Sequence, residues 1–229
     1  MTQKEVLAVD LGQSGTSLRL GGKEIQSARG KLAGESTLEA LRAVFSSIET
    51  LKADCVALSC TGLYGVVSDP EKYLALCTEF FGAAEVAVID DGFAAFVGAL
   101  NGRDGVALTI GGGVVSIGGL NGKFAHRDGL GSTFGDEGGG FWLGKTGITK
   151  ALAVRQGRGD DPEMADFFKD EIAQYFELNV RDGSDAQTLA IKSAKKVLEA
   201  ADAGVSTATA IVDEGAYLLA QTVVSTWYG

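Results

Sequence analysis

The sequence predicts an α/β protein made of a duplicated module, with two lobes around a cleft. In the first hundred residues, apolar runs of strand length alternate with helical patterns, which favours a mixed sheet with helices on both faces. A strand, a glycine turn and a second strand at residues 6–20 then recur at residues 106–117. Because an internal repeat decides the architecture, we expect two domains, 1–103 and 104–229, that each bring one glycine turn to the cleft.

Each element of the first copy follows from a local signal. Three short apolar runs separated by glycine turns indicate three meandering strands, and an αβαβα order follows. The sequence Ser36-Thr37-Leu38-Glu39 has the form of a capping box, and Asp69-Pro70 is a second helix start. The predicted elements are strands 6–11, 17–20, 24–28, 54–60 and 85–89 and helices 38–48, 70–81 and 93–100.

The second copy repeats the three strands and then departs from the first. The pair Asn121-Gly122 is a hairpin signal, and a glycine-rich segment follows at 128–140. No fourth and fifth strands are predicted, so we expect an incomplete second lobe with a helical end. The predicted elements are strands 106–110, 114–117 and 123–127 and helices 141–155, 162–178, 185–203 and 206–227.

Composition and charge limit the classes of function. The net charge is −10 with a pI near 4.6, and no cluster of Lys and Arg exceeds a pair, which argues against a nucleic-acid surface. No apolar run reaches the length of about 18 residues that a membrane span needs, so we expect a soluble cytoplasmic protein. The cysteines Cys55, Cys60 and Cys77 lack CxxC spacing and are expected to be buried thiols of a reducing compartment.

The turn Gly12-Gln13-Ser14-Gly15-Thr16, after the first strand, is a candidate anion site. Successive backbone N–H groups and hydroxyls in such a turn can bind phosphate. Asp10, at the end of the strand, could hold Mg²⁺, usually through water. A plain β-hairpin turn explains the same residues equally well. The dinucleotide pattern does not fit, because Ser14 stands where a glycine is needed and a strand rather than a helix follows.

The second turn, Gly111-Gly112-Gly113, lies between two apolar strands. Three consecutive glycines are costly in backbone entropy, so the close approach of a ligand is the favoured explanation. A bulge or a tight corner of the chain is the alternative. On the favoured interpretation, this turn binds phosphate as the first one does.

Two pairs of acidic residues are candidate functional groups. Asp90 and Asp91 lie between a predicted strand and a predicted helix, where one carboxylate can cap the helix and the other can act as a general base. We expect Asp90 to be the cap and Asp91 the base. Asp136 and Glu137, flanked by glycines, could begin a helix or could present carboxylates to the hydroxyls of a sugar.

The segment GGFWLGKT at 139–146 satisfies the P-loop expression G-x-x-x-x-G-K-[ST]. A P-loop requires an apolar strand immediately before it, which the preceding residues GSTFGDEG cannot supply. Phe141, Trp142 and Leu143 instead have the character of the buried face of a starting helix. We therefore interpret the match as coincidental.

Four motifs together resemble those of the N-acetylglucosamine kinases and the related BadF/BadG ATPases. The motifs are DLGQSGT at 10–16, VIDDGFAAFVGAL at 88–100, IGGG at 110–113 and GDEGGGFWLG at 135–144. Their order and spacing match over about residues 5–150. The resemblance implies an actin-like ATPase (ribonuclease H-like) fold and an ATP-dependent kinase that transfers phosphate to a sugar hydroxyl.

The same resemblance implies roles for individual residues. Both glycine turns would bind the phosphates of Mg²⁺-bound ATP in the cleft, Asp91 would be the base on the sugar hydroxyl, and Asp136 would contact the sugar. The acceptor would be an amino sugar such as N-acetylglucosamine or glucosamine, and a homodimer is compatible with the family. The expected substrate-binding residues are Thr61, Gly62, Asp91, Gly129, Asp136 and Glu137.

Four features depart from the family pattern. Gly112 and Val114 replace two hydroxyl residues of the usual G-T-G-S turn, Leu130 replaces a tryptophan before G-D-E-G, and an asparagine expected near 30–37 is missing. The first change affects the expected affinity for ATP, and the last affects which sugar is bound. Family members also continue with a strand, a Gly-Gly turn and a helix that hold adenosine, so we expect weak ATP binding by these residues.

Three other functions remain open. The ATPase that activates 2-hydroxyacyl-CoA dehydratases needs paired cysteines in the second lobe for an iron–sulfur cluster, whereas all three cysteines here precede residue 78. A non-catalytic sensor of a sugar or a nucleotide is consistent with the altered second turn. A sugar-responsive repressor is disfavoured, because no DNA-binding helices precede residue 5.

Overall fold

The computed structural model describes residues 4–32, 34–177 and 183–228 of the 229-residue chain. The chain divides into two compact units, Met1–Asn101 and Gly102–Gly229. The boundary expected from the repeat, after residue 103, lies two residues later than this division. Each unit contains one of the two strand repeats.

The first unit contains a five-stranded mixed sheet and three helices. Its elements are β1 (Val6–Leu11), β2 (Thr16–Leu20), β3 (Lys23–Ala28), α1 (Thr37–Ser47), β4 (Cys55–Cys60), α2 (Pro70–Phe81), β5 (Glu85–Asp90) and α3 (Asp91–Leu100). The strand order is β3-β2-β1-β4-β5, in which β2 is antiparallel to β1 and β3, and β4 is parallel to β1 and β5. The predicted mixed sheet and the predicted order of elements are confirmed.

One face of this sheet carries the hydrophobic core of the first unit. Along β1, Leu7, Val9 and Leu11 are buried, while the residues between them are exposed. This period of two is that of a strand with one buried face. The helices α1 and α2 pack on that face, for example through Leu41 and Leu76, whereas α3 contacts β4 and β5.

Capping groups begin the helices of the first unit as the sequence indicates. The Ser36 hydroxyl accepts the N–H of Glu39, and the Glu39 carboxylate accepts the N–H of Ser36, which completes the predicted capping box. The Asp90 side chain accepts the N–H of Gly92 and caps α3. Because of this cap, α3 begins at Asp91 rather than at the predicted residue 93.

The three cysteines are free thiols of the first unit. Cys60 and Cys77 are buried as expected, whereas Cys55 is only half-buried. Cys55 lies at the start of β4, where its Sγ is 3.3 Å from Glu85 Oε2. The expectation of three buried thiols therefore holds for two of them.

The second unit combines a three-stranded antiparallel sheet with a series of helices. Its elements are β6 (Gly105–Ile110), β7 (Val114–Leu120), β8 (Lys123–Asp128), α4 (Gly140–Arg155), α5 (Pro162–Phe167), α6 (Lys169–Glu177), α7 (Gly183–Asp202) and α8 (Ser206–Tyr228). The strand order is β6-β7-β8. The helix predicted at 162–178 is two helices in the structure, and residue 178 lies outside the described residues.

The break between α5 and α6 falls at Phe168. This residue is fully buried in the hydrophobic core formed by the helices of the second unit. Its backbone angles, φ −99° and ψ 15°, leave the regular helical range. The buried ring of Phe168 thus coincides with the break in a pattern that the sequence presents as continuous, and tertiary context commonly overrides such patterns.

The helices α4 and α7 approach closely because α4 carries glycines on the contact face. A side chain at Gly144 would overlap the carbonyl oxygen of Ala190, and a Cβ at Gly147 would lie 2.6 Å from Val197 Cγ2. A larger residue at either position would push the two helices apart. This close contact with α7 fixes the position of α4 and of the residues at its start.

The last helix, α8, packs against the three-stranded sheet. The hydroxyls of Thr226 and the fully buried Ser116 form a hydrogen bond of 2.8 Å across this contact. A Cβ at Gly118 would lie 2.9 Å from the Thr226 carbonyl oxygen, so the glycine permits the close approach. In the described part of the chain, no helix has the length and apolar character needed to cross a membrane.

Candidate functional site

The ends of three parallel strands bring polar residues to one edge of the first sheet. In the strand register, Asp10 of β1 pairs with Ser59 of β4, and the next residue, Cys60, pairs with Asp90 of β5. Ser59 Oγ donates a hydrogen bond of 2.7 Å to Asp10 Oδ1. Ligands of open α/β sheets bind outside the carboxyl ends of the strands. This edge is therefore the candidate site of the first unit.

Asp90 and Asp91 have different surroundings at this edge. Asp90 is 8% exposed, and its two carboxylate oxygens accept the N–H groups of Gly92 and Gly65 over 3.1 and 3.2 Å. Asp91 is half-buried and hydrogen-bonds the side chain of Thr61. Asp90 is thus the helix cap that the sequence predicts, while Asp91 Oδ1 also accepts the N–H of Gly92, over 3.0 Å, and its carboxylate remains the candidate base.

The electrostatics of the edge favour proton uptake by Asp91. Burial raises the pKa of this carboxyl, the charge of Asp90 and the more distant charge of Asp10 raise it further, and hydrogen bonds to the carboxylate only partly oppose the shift. Burial, followed by the charges of Asp91, Asp10 and Asp90, raises the pKa of the Cys60 thiol to about 12. The thiol therefore stays protonated, while Asp91 has the perturbed pKa common among functional groups.

The first glycine turn is a tight loop at the end of β1. The N–H of Gly12 donates to the carbonyl of Gly15 over 2.9 Å, and the N–H of Lys31 donates to the carbonyl of Gly12 over 2.9 Å. Gly30 lies so close to the turn that a side chain there would overlap the carbonyl group of Gln13. The segment after β3 thus braces the turn from behind, while Gln13 itself is exposed.

The structure corrects the role expected for Thr16. This residue is 2% exposed, and its hydroxyl donates a hydrogen bond of 2.6 Å to the carbonyl of Arg29. A hydroxyl has one hydrogen to donate, so Thr16 does not have a second one for a phosphate. Thr16 stabilises the fold behind the turn. The exposed Ser14 supplies the remaining hydroxyl of the turn.

Lys31 brings a cation to the loop after β4, a contact that sequence reasoning missed. Lys31 Cε lies 3.3 Å, and Nζ 3.6 Å, from the position that a Cβ would take at Gly62, whose φ is 81°. The Lys31 side chain therefore lies beside Gly62, the residue that follows the expected substrate residue Thr61. The neighbouring cation Arg29 is paired instead, since its guanidinium donates to both carboxylate oxygens of Glu35 over 2.6 and 2.8 Å.

In the second unit, the glycine turn between β6 and β7 is held by the start of α4. The N–H of Gly111 donates to the carbonyl of Gly113 over 2.9 Å. The N–H groups of Gly140 and Phe141 donate to the carbonyls of Gly111 and Gly112 over 2.8 and 2.9 Å. These bonds satisfy N–H groups that a helix start otherwise leaves without a partner. The turn and the beginning of α4 form one hydrogen-bonded unit.

Packing within the protein explains part of the glycine content of this turn. A Cβ at Gly113 would lie 2.6 Å from Asp136 Oδ2, and a Cβ at Gly112 would lie 3.1 Å from Ile191 Cδ1. Around Gly111, by contrast, the space is open. The interpretation that ligand approach requires all three glycines is therefore corrected at Gly113, where a carboxylate of the same chain fills the space.

Two backbone N–H groups of the second turn are left for a ligand. The N–H of Val114 donates to Asp136 Oδ1 over 3.0 Å, and the Val114 side chain is 1% exposed in the core. For the N–H groups of Gly112 and Gly113, the described residues provide no hydrogen-bond acceptor. Successive N–H groups of this kind can bind an anion.

Asp136 is held in place by several contacts with its own chain. Its N–H donates to Asp128 Oδ1 over 2.7 Å, and its carbonyl accepts the N–H of Gly139 over 3.1 Å. Burial raises the pKa of Asp136, the charge of Asp128 adds to the rise, and the hydrogen bond to its carboxylate opposes it. Glu137 is the exposed carboxylate of the pair, and Gly129 lies nearby at the end of β8.

The P-loop-like segment lies at the start of a helix. Residues 139–146 form the N-cap and first turns of α4, and turns rather than a strand precede them. Lys145 Nζ lies 5.7 Å from the centre of the Phe141 ring. Because a P-loop is a strand–loop–helix arrangement, this geometry confirms that the match is coincidental.

Asp10 fits a magnesium ion that is held mostly by water and phosphate oxygens. Its carboxylate is exposed and accepts a hydrogen bond from Ser59 at one oxygen, which leaves further lone pairs. Among the residues that the structure describes, no group of three or more His, Cys, Asp or Glu could hold a metal ion. Magnesium at nucleotide sites needs only one or two carboxylates beside the phosphates.

Comparison with known proteins gives a family and a fold. The family model described as the BadF/BadG/BcrA/BcrD ATPase family matches residues 2–227. A search of curated proteins gives no match. A proposed N-acetylglucosamine kinase of Chromobacterium violaceum is similar in structure, with a TM-score of 0.73 and 22% identity over 97% of this chain and 82% of that one. For a proposed N-acetylglucosamine kinase of Porphyromonas gingivalis, the TM-score is 0.69 and the identity 21%, over 96% and 81% of the two chains.

These findings agree with the four sequence motifs, which resemble those of the same family. At identities near 22%, the solved structures establish the fold, which is the predicted α/β fold of the actin-like ATPases. The family match extends over almost the whole chain, well beyond the motif-bearing residues 5–150. The chain therefore belongs to the BadF/BadG/BcrA/BcrD ATPase family.

Proposed function

We propose that this protein is an ATP-dependent kinase that phosphorylates a hydroxyl group of an amino sugar, such as N-acetylglucosamine or glucosamine. The observation that carries the proposal is Asp91, the first residue of α3 directly after β5, which is half-buried, hydrogen-bonded to Thr61 and has a raised pKa. Membership of an ATPase family supports ATP as the phosphate donor. The likeness to two proposed N-acetylglucosamine kinases supports an amino sugar as the acceptor.

In the proposed reaction, Asp91 is the general base. The acceptor hydroxyl oxygen attacks the γ-phosphorus of ATP while its proton passes to a carboxylate oxygen of Asp91. The bond between the γ-phosphorus and the β–γ bridging oxygen breaks, and ADP leaves with that oxygen. The raised pKa of Asp91 makes its carboxylate a stronger proton acceptor than an ordinary aspartate.

The two glycine turns are the proposed phosphate-binding groups. The first offers backbone N–H groups near Gln13 and the exposed hydroxyl of Ser14, and the second offers the N–H groups of Gly112 and Gly113. Backbone donors bind anions without basic side chains, which suits a chain of net charge −10. Mg²⁺ held by Asp10 would neutralise phosphate charge during transfer.

The acceptor is proposed to bind at the loop after β4, close to Asp91. Thr61 hydrogen-bonds Asp91, and Lys31 lies over Gly62, so the loop offers both a positioned base and a hydrogen-bond donor. In the second unit, Asp136 and the exposed Glu137 are the proposed sugar contacts, and the bond from the Val114 N–H to Asp136 Oδ1 fixes the position of that carboxylate.

A non-catalytic sensor of a sugar or a nucleotide is the second candidate, and the second turn favours it. Gly112 supplies no hydroxyl, and the side chain of Val114 is buried. Each charge-assisted hydrogen bond that a phosphate loses here would weaken its binding by about 1.5–3 kcal/mol. A sensor would bind its ligand without turnover.

A coupled assay of ADP release over a panel of amino sugars tests the proposal. A kinase releases ADP from Mg²⁺–ATP only when its sugar is present, and Asp91→Asn abolishes that release. Asp166→Asn, an exposed acid on α5, serves as the matched control. ADP release without any sugar would indicate a plain ATPase, and calorimetric binding without release would indicate a sensor; either result would overturn the kinase assignment.

A further inference from the structure

Asp128 and Asp136 connect the end of β8 to the second glycine turn. Asp128 Oδ1 accepts the N–H of Asp136 over 2.7 Å, and Asp136 Oδ1 accepts the N–H of Val114 over 3.0 Å. Both aspartates have a left-handed backbone, with φ of 63° and 61°. Such conformations are strained for residues other than glycine and persist only where the surrounding structure imposes them.

Neighbouring glycines allow both carboxylates to lie against the backbone. A Cβ at Gly135 would lie 2.7 Å from Asp128 Oδ1, and a Cβ at Gly113 would lie 2.6 Å from Asp136 Oδ2. Both aspartates are half-buried. Two aspartates with positive φ and two glycines thus share one arrangement, in which Asp128 Oδ1 holds the backbone of Asp136 and Asp136 Oδ1 holds the backbone of Val114.

We propose that Asp128 is a positioning residue for nucleotide phosphates, which acts by fixing Asp136 and, through it, the second glycine turn. The inference rests on the proposed function, because it takes this turn as a phosphate-binding group. Asp128 does not touch the ligand. It holds Asp136 on the Val114 N–H, so that the N–H groups of Gly112 and Gly113 remain in a preformed turn.

The structure explains why an acidic residue serves at position 128. A carboxylate accepts a backbone N–H more strongly than a neutral group does, and aspartate tolerates the left-handed region better than most residues do. Burial raises the pKa of Asp136 most, and the charge of Asp128 raises it further, whereas the hydrogen bond from the Val114 N–H lowers it. An asparagine at 128 would keep the acceptor oxygen and the backbone preference but would remove this charge.

Three substitutions separate these contributions. Asp128→Ala removes the acceptor and keeps the strain, Asp128→Gly removes the acceptor and relieves the strain, and Asp128→Asn keeps the acceptor without the charge. The matched control is Asp69→Ala, because Asp69 also has a positive φ, of 52°, but lies at the start of α2. Two measurements apply to each variant: the hydrogen exchange and chemical shift of the Val114 amide, and calorimetric binding of Mg²⁺–ATP.

We expect Asp128→Ala and Asp128→Gly to expose the Val114 amide to exchange and to weaken Mg²⁺–ATP binding about tenfold. Asp128→Asn should retain most of the exchange protection of the Val114 amide and most of the affinity for Mg²⁺–ATP. It should also move the midpoint of the pH titration of the Val114 amide shift to lower pH, because the charge that raises the pKa of Asp136 is gone. His126, Arg127 and Glu137, the other charged or titratable residues of this segment, are retained in every variant.

The outcomes distinguish this inference from the proposed function. An unchanged Val114 amide in Asp128→Gly, or an unmoved titration midpoint in Asp128→Asn, would overturn the role of Asp128. A wild-type protein that binds no Mg²⁺–ATP while its Val114 amide responds as described would overturn the phosphate role of the turn instead. If Asp128→Ala fails to fold, Asp128→Gly, which carries no backbone strain, still gives the result.

Discussion

Ser59 donates its hydroxyl hydrogen to Asp10 over 2.7 Å and so joins the carboxyl ends of two parallel strands that are far apart in the sequence. The bond fixes one oxygen of the carboxylate that is proposed to hold Mg²⁺. It orients Asp10 through a neighbour that no local sequence pattern identifies.

Ser59→Ala should therefore raise the KM for Mg²⁺–ATP about fivefold with little effect on folding. The reason is the loss of a hydrogen bond to a charged group in an exposed setting, worth about 1 kcal/mol. Steady-state kinetics at varied Mg²⁺–ATP measure the change, with Ser46→Ala on α1 as the control. An unchanged KM would show that the Ser59 hydroxyl does not position Asp10 for Mg²⁺–ATP.

Asp91→Asn should lower the rate of phosphoryl transfer by roughly 10²–10⁴ while leaving sugar binding nearly intact. An amide cannot take the proton of the attacking hydroxyl, yet it keeps the shape and much of the hydrogen bonding of the carboxylate. Turnover and sugar binding are measured on the same preparation. A variant with wild-type turnover would show that another group is the base.

The same substitution should stabilise the protein at neutral pH. The pKa of Asp91 is raised in the folded state, so the folded protein binds this proton more readily than the unfolded chain does. The stability that this group contributes therefore falls as the pH rises from its pKa in the unfolded chain to its pKa in the folded protein. Above that pH range the folded protein remains destabilised by the ionised carboxylate. Thermal unfolding of wild type and Asp91→Asn should differ at pH 7 and converge in acid; equal stability at all pH values would contradict the raised pKa.

Thr16→Val should lower the free energy of unfolding by about 1–3 kcal/mol, because the carbonyl of Arg29 loses its donor in a buried setting. Thr16→Ser keeps the hydroxyl and should be less affected. Denaturant unfolding measures both variants. The folded Thr16→Val protein should bind Mg²⁺–ATP within about twofold of wild type, and a selective loss of nucleotide binding would restore Thr16 to the phosphate site.

Lys145→Ala should change the affinity for ATP by less than about twofold. The residue lies in helix α4, where its Nζ is 5.7 Å from the centre of the Phe141 ring, a contact worth roughly 0.5–1 kcal/mol at an exposed site. Calorimetry with Mg²⁺–ATP, together with circular dichroism to verify the fold, measures the effect. A large loss of affinity in a well-folded variant would revive the P-loop interpretation.

Local signals in the sequence were sufficient for most of the fold and for part of the site. The capping box at Ser36 and the alternation along β1 are decided by neighbours within a few residues, and the structure has both. The assignment of Asp90 as a helix cap also depends only on the strand–helix junction. Patterns with a period of two or 3.6 residues report burial directly, so the elements were predictable.

Contacts between distant residues were not predictable. Thr16 could not be recognised as a structural hydroxyl until the end of β3 was placed beside it, and Ser59 meets Asp10 only through the parallel register of two strands. Gly113 has the appearance of a ligand-binding glycine, but the carboxylate next to it is supplied by Asp136, which lies far along the chain after β8. Each of these roles depends on packing that no local pattern encodes.

The neighbour of Gly112 links the second turn to α7. The G-T-G-S pattern that the sequence resemblance implies has a threonine at this position, and a Cβ there would lie 3.1 Å from Ile191 Cδ1 of α7. Ile191 is 40% exposed, so the end of its side chain has room to move aside. A hydroxyl-bearing turn therefore depends on a small shift of Ile191, and a library that varies positions 112 and 191 together samples that shift directly.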